Sequence, residues 1–311
     1  MPEAPSMGVL SRFGTNGDTT SVAAAPTAQY EFLSQNLASE RELIRNEGMR
    51  GTRLHTVTRQ RKGRLTPSGA IEMEPGYGEM RTLFPLMVSV EAGAGPYTYT
   101  VTDTVPVAFQ SVCDRVAKVF TYTGCRTSKV TFKSSPGQPL ALSWEIEALN
   151  ESIGAAGSVN WSGVTVSNTP PFVFHDAVVT INGTAYQIMD WEMTIDWMLK
   201  TDRWVNSQTR TDLPSQDLMI DTKFTLPYTS DTTGLYDLFT EAAELTTGVA
   251  GNITFTKGGV SLIFAWQGLL FPALKSPVVG ARDEIVMQLA SQSFRTAGGT
   301  APLVVTLDPT V

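Results

Sequence analysis

Helical spacing of apolar residues stands out at two places in the chain. Met80, Leu83, Phe84 and Met87 fall at i, i+3, i+4 and i+7, and Leu235, Leu238, Phe239 and Ala242 repeat that spacing 155 residues later. Each set lies on one face of a short amphipathic helix. An alternating strand precedes each helix (Ile71 and Met73; Phe224 and Leu226) and another follows it (Tyr99 and Val101; Ile253 and Phe255). Val130-Thr131-Phe132 finds its counterpart in Ile285-Val286-Met287, again 155 residues on. Order and spacing, rather than shared residues, predict one β-rich unit present twice, as in an object that needs many equivalent surfaces. The second helix is expected to start at Asp231 or the threonines after it and to stop before Gly248. Pro85 sits inside the first, so that helix is expected to be short, kinked or late in starting.

Period-two patterning is clearest in the second half. Val178-Val179-Thr180-Ile181, then Asn182-Gly183, then Thr184 to Ile188 predict a β-hairpin, because both turn residues tolerate φ > 0. The pattern predicts that its second strand runs on without a break, with Met189, Trp191, Met193, Ile195 and Trp197 alternating against Asp190, Glu192, Thr194 and Asp196. The Trp/Met side is expected to be core.

Residues 1–30 are rich in Ala, Ser, Thr, Gly and Pro without periodicity, which predicts an arm that is disordered in a free monomer and orders on a neighbour. The first folded unit is expected at 31–150 and the second at 172–311. The Gly/Ser-containing stretch 151–171, ending at Pro170-Pro171, is expected to link them.

Composition narrows the function. A chain of 311 residues is long enough for two units with full cores, and its abundant Thr, Val and Ser with 17% charged residues favour β-structure. A net charge of −7 argues against the whole protein gripping nucleic acid. No segment has the length of a membrane span, and Met1-Pro2-Glu3-Ala4-Pro5 lacks the basic region of a signal peptide, so the expectation is synthesis in a reducing cytoplasm with no membrane partner. Cys113 and Cys125 are accordingly expected to be buried thiols. His55 and His175 have no carboxylate or second histidine at ligand spacing, and no nucleophile turn accompanies them, so no catalytic residue, metal or cofactor is expected.

Two charge patterns remain. Arg50, Arg53, Arg59, Arg61, Lys62 and Arg64 follow one another with no acidic residue between them. The segment can be read as a nucleic-acid patch, as a solvated hairpin tip, or as a polar hairpin docking on acidic surface of another copy; the lack of interleaved aromatics favours the last. Lys200, Arg203 and Arg210 with Trp204 form a less basic counterpart. Acidic residues recur opposite apolar ones: Glu72 and Glu74 opposite Ile71 and Met73; Glu145 and Glu147 opposite Trp144 and Ile146; Asp190, Glu192 and Asp196 opposite the Trp/Met stripe. Such faces are either incidental to a pI near 5.0 or surfaces that must stay negative.

Several segments, in order, resemble the tail tube (major tail) proteins of long-tailed, non-contractile bacteriophages. These are Ile44-Arg-Asn-Glu-Gly-Met-Arg-Gly51 leading to Ser68-Gly-Ala-Ile-Glu-Met-Glu74, then Phe120-Thr-Tyr-Thr-Gly-Cys125 with Val130-Thr-Phe132, then Phe172 to Gly183 followed by Met193-Thr-Ile-Asp196. The resemblance covers the chain from about Ala38 to Thr306. It implies tandem β-sandwiches, each flanked by a short helix, assembled into rings that stack into a hollow tube through which the genome leaves. A duplicated subunit implies homotrimeric, pseudo-sixfold rings, with a homohexamer as the alternative. The tape measure, tail terminator and distal tail proteins are the implied partners, and DNA is only a transient passenger. On this reading Arg50, Arg53, Arg59, Arg61, Lys62, Arg64, Arg203 and Arg210 are candidates for contacts between subunits or rings. Asp190, Glu192, Asp196, Glu72 and Glu74 are candidates for the channel wall. The competing class is a tandem β-sandwich carbohydrate-binding or adhesin module, with Trp161, Trp204 and Trp266 as exposed stacking platforms.

Overall fold

The computed structural model describes residues 8–17, 25–45, 48, 57–229, 235, 248–271 and 285–309. The chain is mainly β. Its first part contains β1 (Arg12–Asn16), β2 (Ala28–Tyr30), β3 (Ser34–Gln35), β4 (Ala38–Ile44), β5 (Arg61–Met73), helix α1 (Tyr77–Met87), β6 (Glu91–Ala92), β7 (Tyr97–Thr100), β8 (Phe109–Asp114), β9 (Lys118–Ser134), β10 (Ala141–Glu147) and β11 (Asn150–Ala155). The remainder contains β12 (Ala177–Ile181), β13 (Thr184–Tyr186), β14 (Asp190–Asp196), β15 (Met219–Pro227), β16 (Val249–Lys257), β17 (Val260–Leu270), β18 (Val286–Ser293) and β19 (Leu303–Asp308).

One long antiparallel sheet, β4–β5–β10–β9–β14–β15–β18, crosses from the first part into the second. Two further sets of strands cover its apolar face. Over β5 and β10 lies β2–β1–β8–β9–β11, and Trp144 of β10 stacks on Phe109 of β8 at 5.1 Å between ring centres. Over β9, β14 and β15 lies β13–β12–β16–β17–β19–β7–β6. There Phe264 of β17 meets Phe132 of β9 at 5.0 Å and Trp191 of β14 at 5.4 Å, while Trp266 meets Phe224 of β15 at 5.7 Å. A single buried cluster runs from Phe13 to Leu307 through both layers.

Strand β9 serves two sheets because it bends. Lys118 to Cys125 pair with β8 and β11, and Arg126 to Ser134 pair with β10 and β14. Gly124 sits at the junction with φ +61, and a Cβ there would lie 2.5 Å from Leu149 Cδ1, so both backbone angle and space demand glycine.

Helix α1 forms where its spacing predicts it, with Met80, Leu83, Phe84 and Met87 buried. Glu79 reaches back from the first turn to accept the Gly76 N–H at 3.1 Å, satisfying one of the helix's free donors. Burial raises the carboxyl pKa of Glu79 despite these backbone N–H partners. Pro85 is accommodated in the last turn. The Arg81 carbonyl that it leaves without a helical donor lies 3.4 Å from the Tyr99 hydroxyl, whose proton is better placed for Glu91 Oε2 at 3.0 Å. The second predicted helix falls outside the described residues apart from Leu235, which is helical and buried.

Strand pairing repeats between the two parts. Sheet β2–β1–β8–β9–β11 has the order of β13–β12–β16–β17–β19, and β4–β5–β10 has the order of β14–β15–β18. The constant 155-residue stagger is corrected: β16 occupies the place of β8 rather than that of Tyr99 in β7, and β18 the place of β10 rather than that of Val130 in β9. The first part carries β6 and β7 between its helix and β8, and short alternating Val/Thr/Phe strands are too alike for spacing alone to match them.

Three further expectations change. Arg12–Asn16 is not a free arm but a strand held between β2 and β8, with Phe13 fully buried beside Trp144. The stretch after residue 150 includes β11, and Trp161 packs on Val112, Val119 and Val159. The hairpin with Asn182 (φ 51) and Gly183 (φ 78) forms, but its second strand ends at Tyr186. It breaks there because β12 and β13 belong with β16, whereas β14 joins β9 and β15, so the chain must cross between layers at residues 187–189.

A core continuous through both parts predicts one cooperative unfolding transition. Trp191 touches Phe255, Phe264 and Trp266, so Trp191→Ala should cost about 3–5 kcal/mol. In calorimetry that variant should still give a single peak, shifted down; two separated peaks would show that the parts unfold independently.

Candidate assembly and channel surfaces

Period-two burial sends every second residue of the long sheet to water, and the register lines these residues up across the strands. One row reads Glu72, Ser143, Thr131, Thr194, Asp221, Gln292 from β5 to β18. Ser143 donates to Glu72 at 2.7 Å, and Thr131 and Thr194 share a hydrogen bond at 3.1 Å. On one side lies the row Lys133, Glu192, Lys223, and on the other Glu145, Lys129, Asp196. Lys223 Nζ is 2.9 Å from Glu192 Oε1, and Lys129 Nζ is 3.7 Å from Glu145 Oε1. The hydrogen bond to Glu192 holds the Lys223 pKa above its ordinary value. Asp190 accepts from Ser135 Oγ at 2.6 Å, and Asp196 from the Met198 N–H at 2.8 Å. Glu74 is half-buried just beyond the end of β5. A shallow groove of about 520 Å³ crosses this face between Thr131, Glu192, Asp221 and Lys223.

The structure therefore puts Asp190, Glu192, Asp196 and Glu72 on one polar face, with the Trp191, Met193 and Ile195 side chains buried behind it. It also shows what the strand-by-strand reading missed. Lys129, Lys133 and Lys223 stand across from the acidic residues, so the face carries both signs with carboxylates in excess. Lys129, Thr131 and Lys133 alternate with Val130 and Phe132, a signal visible in the sequence, but which strand they would face was not.

The basic hairpin divides. Arg50 and Arg53 lie outside the described residues. Arg59, Arg61, Lys62 and Arg64 are exposed at the start of β5, where Arg61 pairs with Ile44 and Lys62 with Leu43. The loop 198–217 braces this end: Gln208 accepts the Leu65 N–H at its carbonyl at 2.8 Å, and its side-chain amide donates to the Lys62 carbonyl at 3.1 Å. Arg64 lies 4.9 Å from the centre of the Trp204 ring, and Arg210 5.7 Å from the same ring. Arg203 is exposed, 3.9 Å from Asp212.

Arg210 is only 6% exposed and is committed within the chain. It pairs with Glu147 and donates to the Pro67 and Ala148 carbonyls, tying the loop after β14 to β5 and β10. Burial raises the Glu147 pKa, an effect that Arg210 opposes.

The tryptophans proposed as sugar platforms are not available as such. Trp266 is fully buried, Trp161 is buried beneath Arg12, and Trp204 is covered by Arg64 and Arg210. Cys113 and Cys125 are buried free thiols, each with its pKa pushed up to about 12 by desolvation. Among the described residues no cluster of His, Cys, Asp or Glu could hold a metal ion, and no helix is long and apolar enough to cross a membrane.

Removing Arg210 would leave Glu147 buried without its counter-charge, so Arg210→Ala should cost roughly 3–5 kcal/mol at neutral pH. The Glu147 pKa would then rise further above its unfolded value, and the folded state would take up a proton that the unfolded chain lacks. The deficit should shrink as pH falls from 7 towards 5, as thermal melts across that range would show; a deficit independent of pH would mean that the loss is one of packing alone.

A polar sheet face thus runs through both parts of the chain, beside a braced basic hairpin. No curated protein matches the chain. A family model described as phage tail tube protein matches residues 7–297, so the chain belongs to the phage tail tube protein family, a structural component of the virion tail.

Proposed function

We propose that three copies of this chain close into a ring, and that rings stack into the hollow tube through which phage DNA is ejected into the host. The observation that carries this reading is the long sheet itself, which passes through both parts of the chain and turns one polar face to solvent. The repeated pairing order supports two tandem tail-tube units, the first reaching from β1 to β11 rather than over 31–150 alone and the second from β12 to β19, which give three copies a pseudo-sixfold ring. Closing such sheets end to end leaves no edge strand free to aggregate.

In this ring the polar face lines the channel, with Asp190, Glu192, Asp196 and Glu72 on the wall and Glu74 at its margin. A passage for DNA must not hold phosphates, because each free Lys or Arg contact adds counterion-release affinity. Here Lys129 and Lys223 are paired with carboxylates and the acidic residues outnumber the lysines, which suits rapid transit. Arg59, Arg61, Lys62, Arg64 and Arg203, with Arg50 and Arg53, serve contacts between subunits or rings. The protein is synthesised in the host cytoplasm, works without catalysis or cofactor, and meets the tape measure, tail terminator and distal tail proteins in the virion.

Electron microscopy of the tube at side-chain resolution tests this directly. Three chains per ring, with Asp190, Glu192 and Asp196 on the channel wall, are expected. Six chains per ring would sink the duplication, and those carboxylates on the outer surface, or a lumen lined mainly by Lys and Arg, would sink the channel assignment.

The hairpin is tested separately. Arg59 and Arg61 are exposed, and replacing both by Ala should change monomer stability by no more than about 0.5 kcal/mol while impairing the stacking of rings. Arg64 is left in place because it stacks on Trp204. Unimpaired stacking by this double variant would remove the hairpin from the contact.

A further inference from the structure

Arg210 fills a particular place in the first part of the chain. The last paired residues of β5 and β10 at that end of the long sheet are Ser68 and Glu147, and Pro67 and Ala148 stand one residue beyond them. Arg210, carried by the loop between β14 and β15, donates to both of their carbonyls and pairs with Glu147. The repeated pairing order gives each of these elements a counterpart: β15 for β5, β18 for β10, and the β4–β5 hairpin for the β14–β15 loop. At the same end of the sheet the last pair of β15 and β18 is Asp221 and Gln292, so Ile220 and Ser293 are the counterparts of Pro67 and Ala148.

Among the described residues nothing fills that second place. Ile220 and Ser293 instead line a cavity of about 460 Å³. Val101, just beyond β7, and Ile220 are buried and give it an apolar floor, while Asp103 and Asp217 are exposed on its rim. Gln292 stands where the first part has Glu147, so here the negative charge comes from these two aspartates. Arg295, also on the rim, lies 3.9 Å from Asp103 and donates to the Gly299 carbonyl at 3.3 Å, which leaves the rim acidic on balance.

We propose that this cavity is a socket for the basic hairpin of a second copy, with Val57 against the apolar floor and the Arg59 guanidinium at Asp103 and Asp217, as Arg210 sits at Glu147 inside the chain. The exposed turn Val57–Arg59 carries an aliphatic residue, itself 87% exposed, two positions from a cation, which matches an apolar floor beneath an acidic rim. The occupant comes from another copy because β5 and β15 of one chain are four strand spacings apart, roughly 19 Å, and the hairpin's base is already held by the loop 198–217. The socket rests on the ring-forming reading and adds to it the site that receives the hairpin.

Charge exchange on the full-length protein tests the socket. Arg59→Glu alone, or Asp103→Lys with Asp217→Lys, alters only exposed residues and should leave monomer melting as in the wild type while lowering the yield of rings by about tenfold or more. All three substitutions in one chain should restore the yield to within about twofold of wild type, because the charges are then exchanged across the contact. A second arm places Val57→Cys and Thr102→Cys in one chain. In assembled tubes a short bismaleimide should join neighbouring copies of this variant and not of either single variant, since the native Cys113 and Cys125 are buried. Full assembly by either folded charge variant, no recovery in the triple variant, or no link between copies overturns the socket while leaving the tube reading intact. If a charge variant fails to fold, the linking arm decides. A wild-type chain that forms no ring under any condition, including in tails isolated from virions, sinks the tube reading and the socket together.

Discussion

The pairing of β9 with β14 is the contact on which the architecture depends. Six consecutive residues of β14, Trp191 to Asp196, are in register with Ser134 to Lys129 of β9, so a strand from each part of the chain becomes a neighbour of the other in one sheet. That adjacency sets Trp191 and Phe132 on the same buried face, where Phe264 packs against both. It also fixes which charges oppose which on the polar face, since Lys133 meets Glu192 and Lys129 meets Asp196 only in this register. A shift of β14 by one residue would turn its Trp/Met stripe to water and its own carboxylates into the core. The bend at Gly124 is the local requirement behind it, because only a strand that leaves one sheet for another can pair with β8 and β11 at its start and with β10 and β14 at its end.

How much of this was legible depended on distance along the chain. Local signals worked: the i, i+3, i+4, i+7 set from Met80 to Met87 gave α1, Asn182-Gly183 gave its hairpin, and the alternation from Trp191 to Ile195 gave a half-buried strand. Non-local ones did not. Nothing in the alternation of β14 states that its neighbour is β9, so the acidic stripe read as a uniform negative surface until Lys129, Lys133 and Lys223 came to stand beside it. Arg210 shows the same limit. In sequence it is one of several basic residues near Trp204, but in space it is buried against Glu147, more than sixty residues earlier, and braces the loop instead of projecting from it. The repeat was visible as an order of elements and misplaced as a fixed spacing, because the first part holds β6 and β7 between its helix and β8.

The polar face also shows how a sheet can be negative on balance without electrostatic strain. Adjacent carboxylates on one strand repel only weakly across the pleat, and a lysine on each flanking strand converts part of that repulsion into cross-strand attraction. Glu192 lies between Lys133 and Lys223, and Lys129 between Glu145 and Asp196, so alternate signs run across the strands. Exposed pairs of this kind add little stability, about 0–1 kcal/mol each, and are screened by salt. Their larger effect is on what the surface presents to a polyanion. A lysine already held by a carboxylate gives phosphate no net gain in charge, while the unpaired carboxylates keep the average potential negative.

On the proposed reading, two tube units joined in one chain change the problem of assembly as well as its stoichiometry. In a ring of identical single units every seam must form between separate molecules, and each contact must overcome the loss of translational and rotational freedom. In the proposed ring of this protein, half of the seams form by the β9–β14 contact, which folds with the chain, so only the remaining half depend on encounter. The covalent link also lets the two units diverge. The first keeps a basic hairpin braced by the loop 198–217 of the second, and the second keeps the arginine that holds Glu147. Neither device works in an isolated unit, because each needs residues from the other. The halves are thus bound to each other by a largely buried ion pair, whereas the acidic rim offered to a neighbouring chain is exposed, which leaves the seam between copies free to be weaker and reversible until the ring closes.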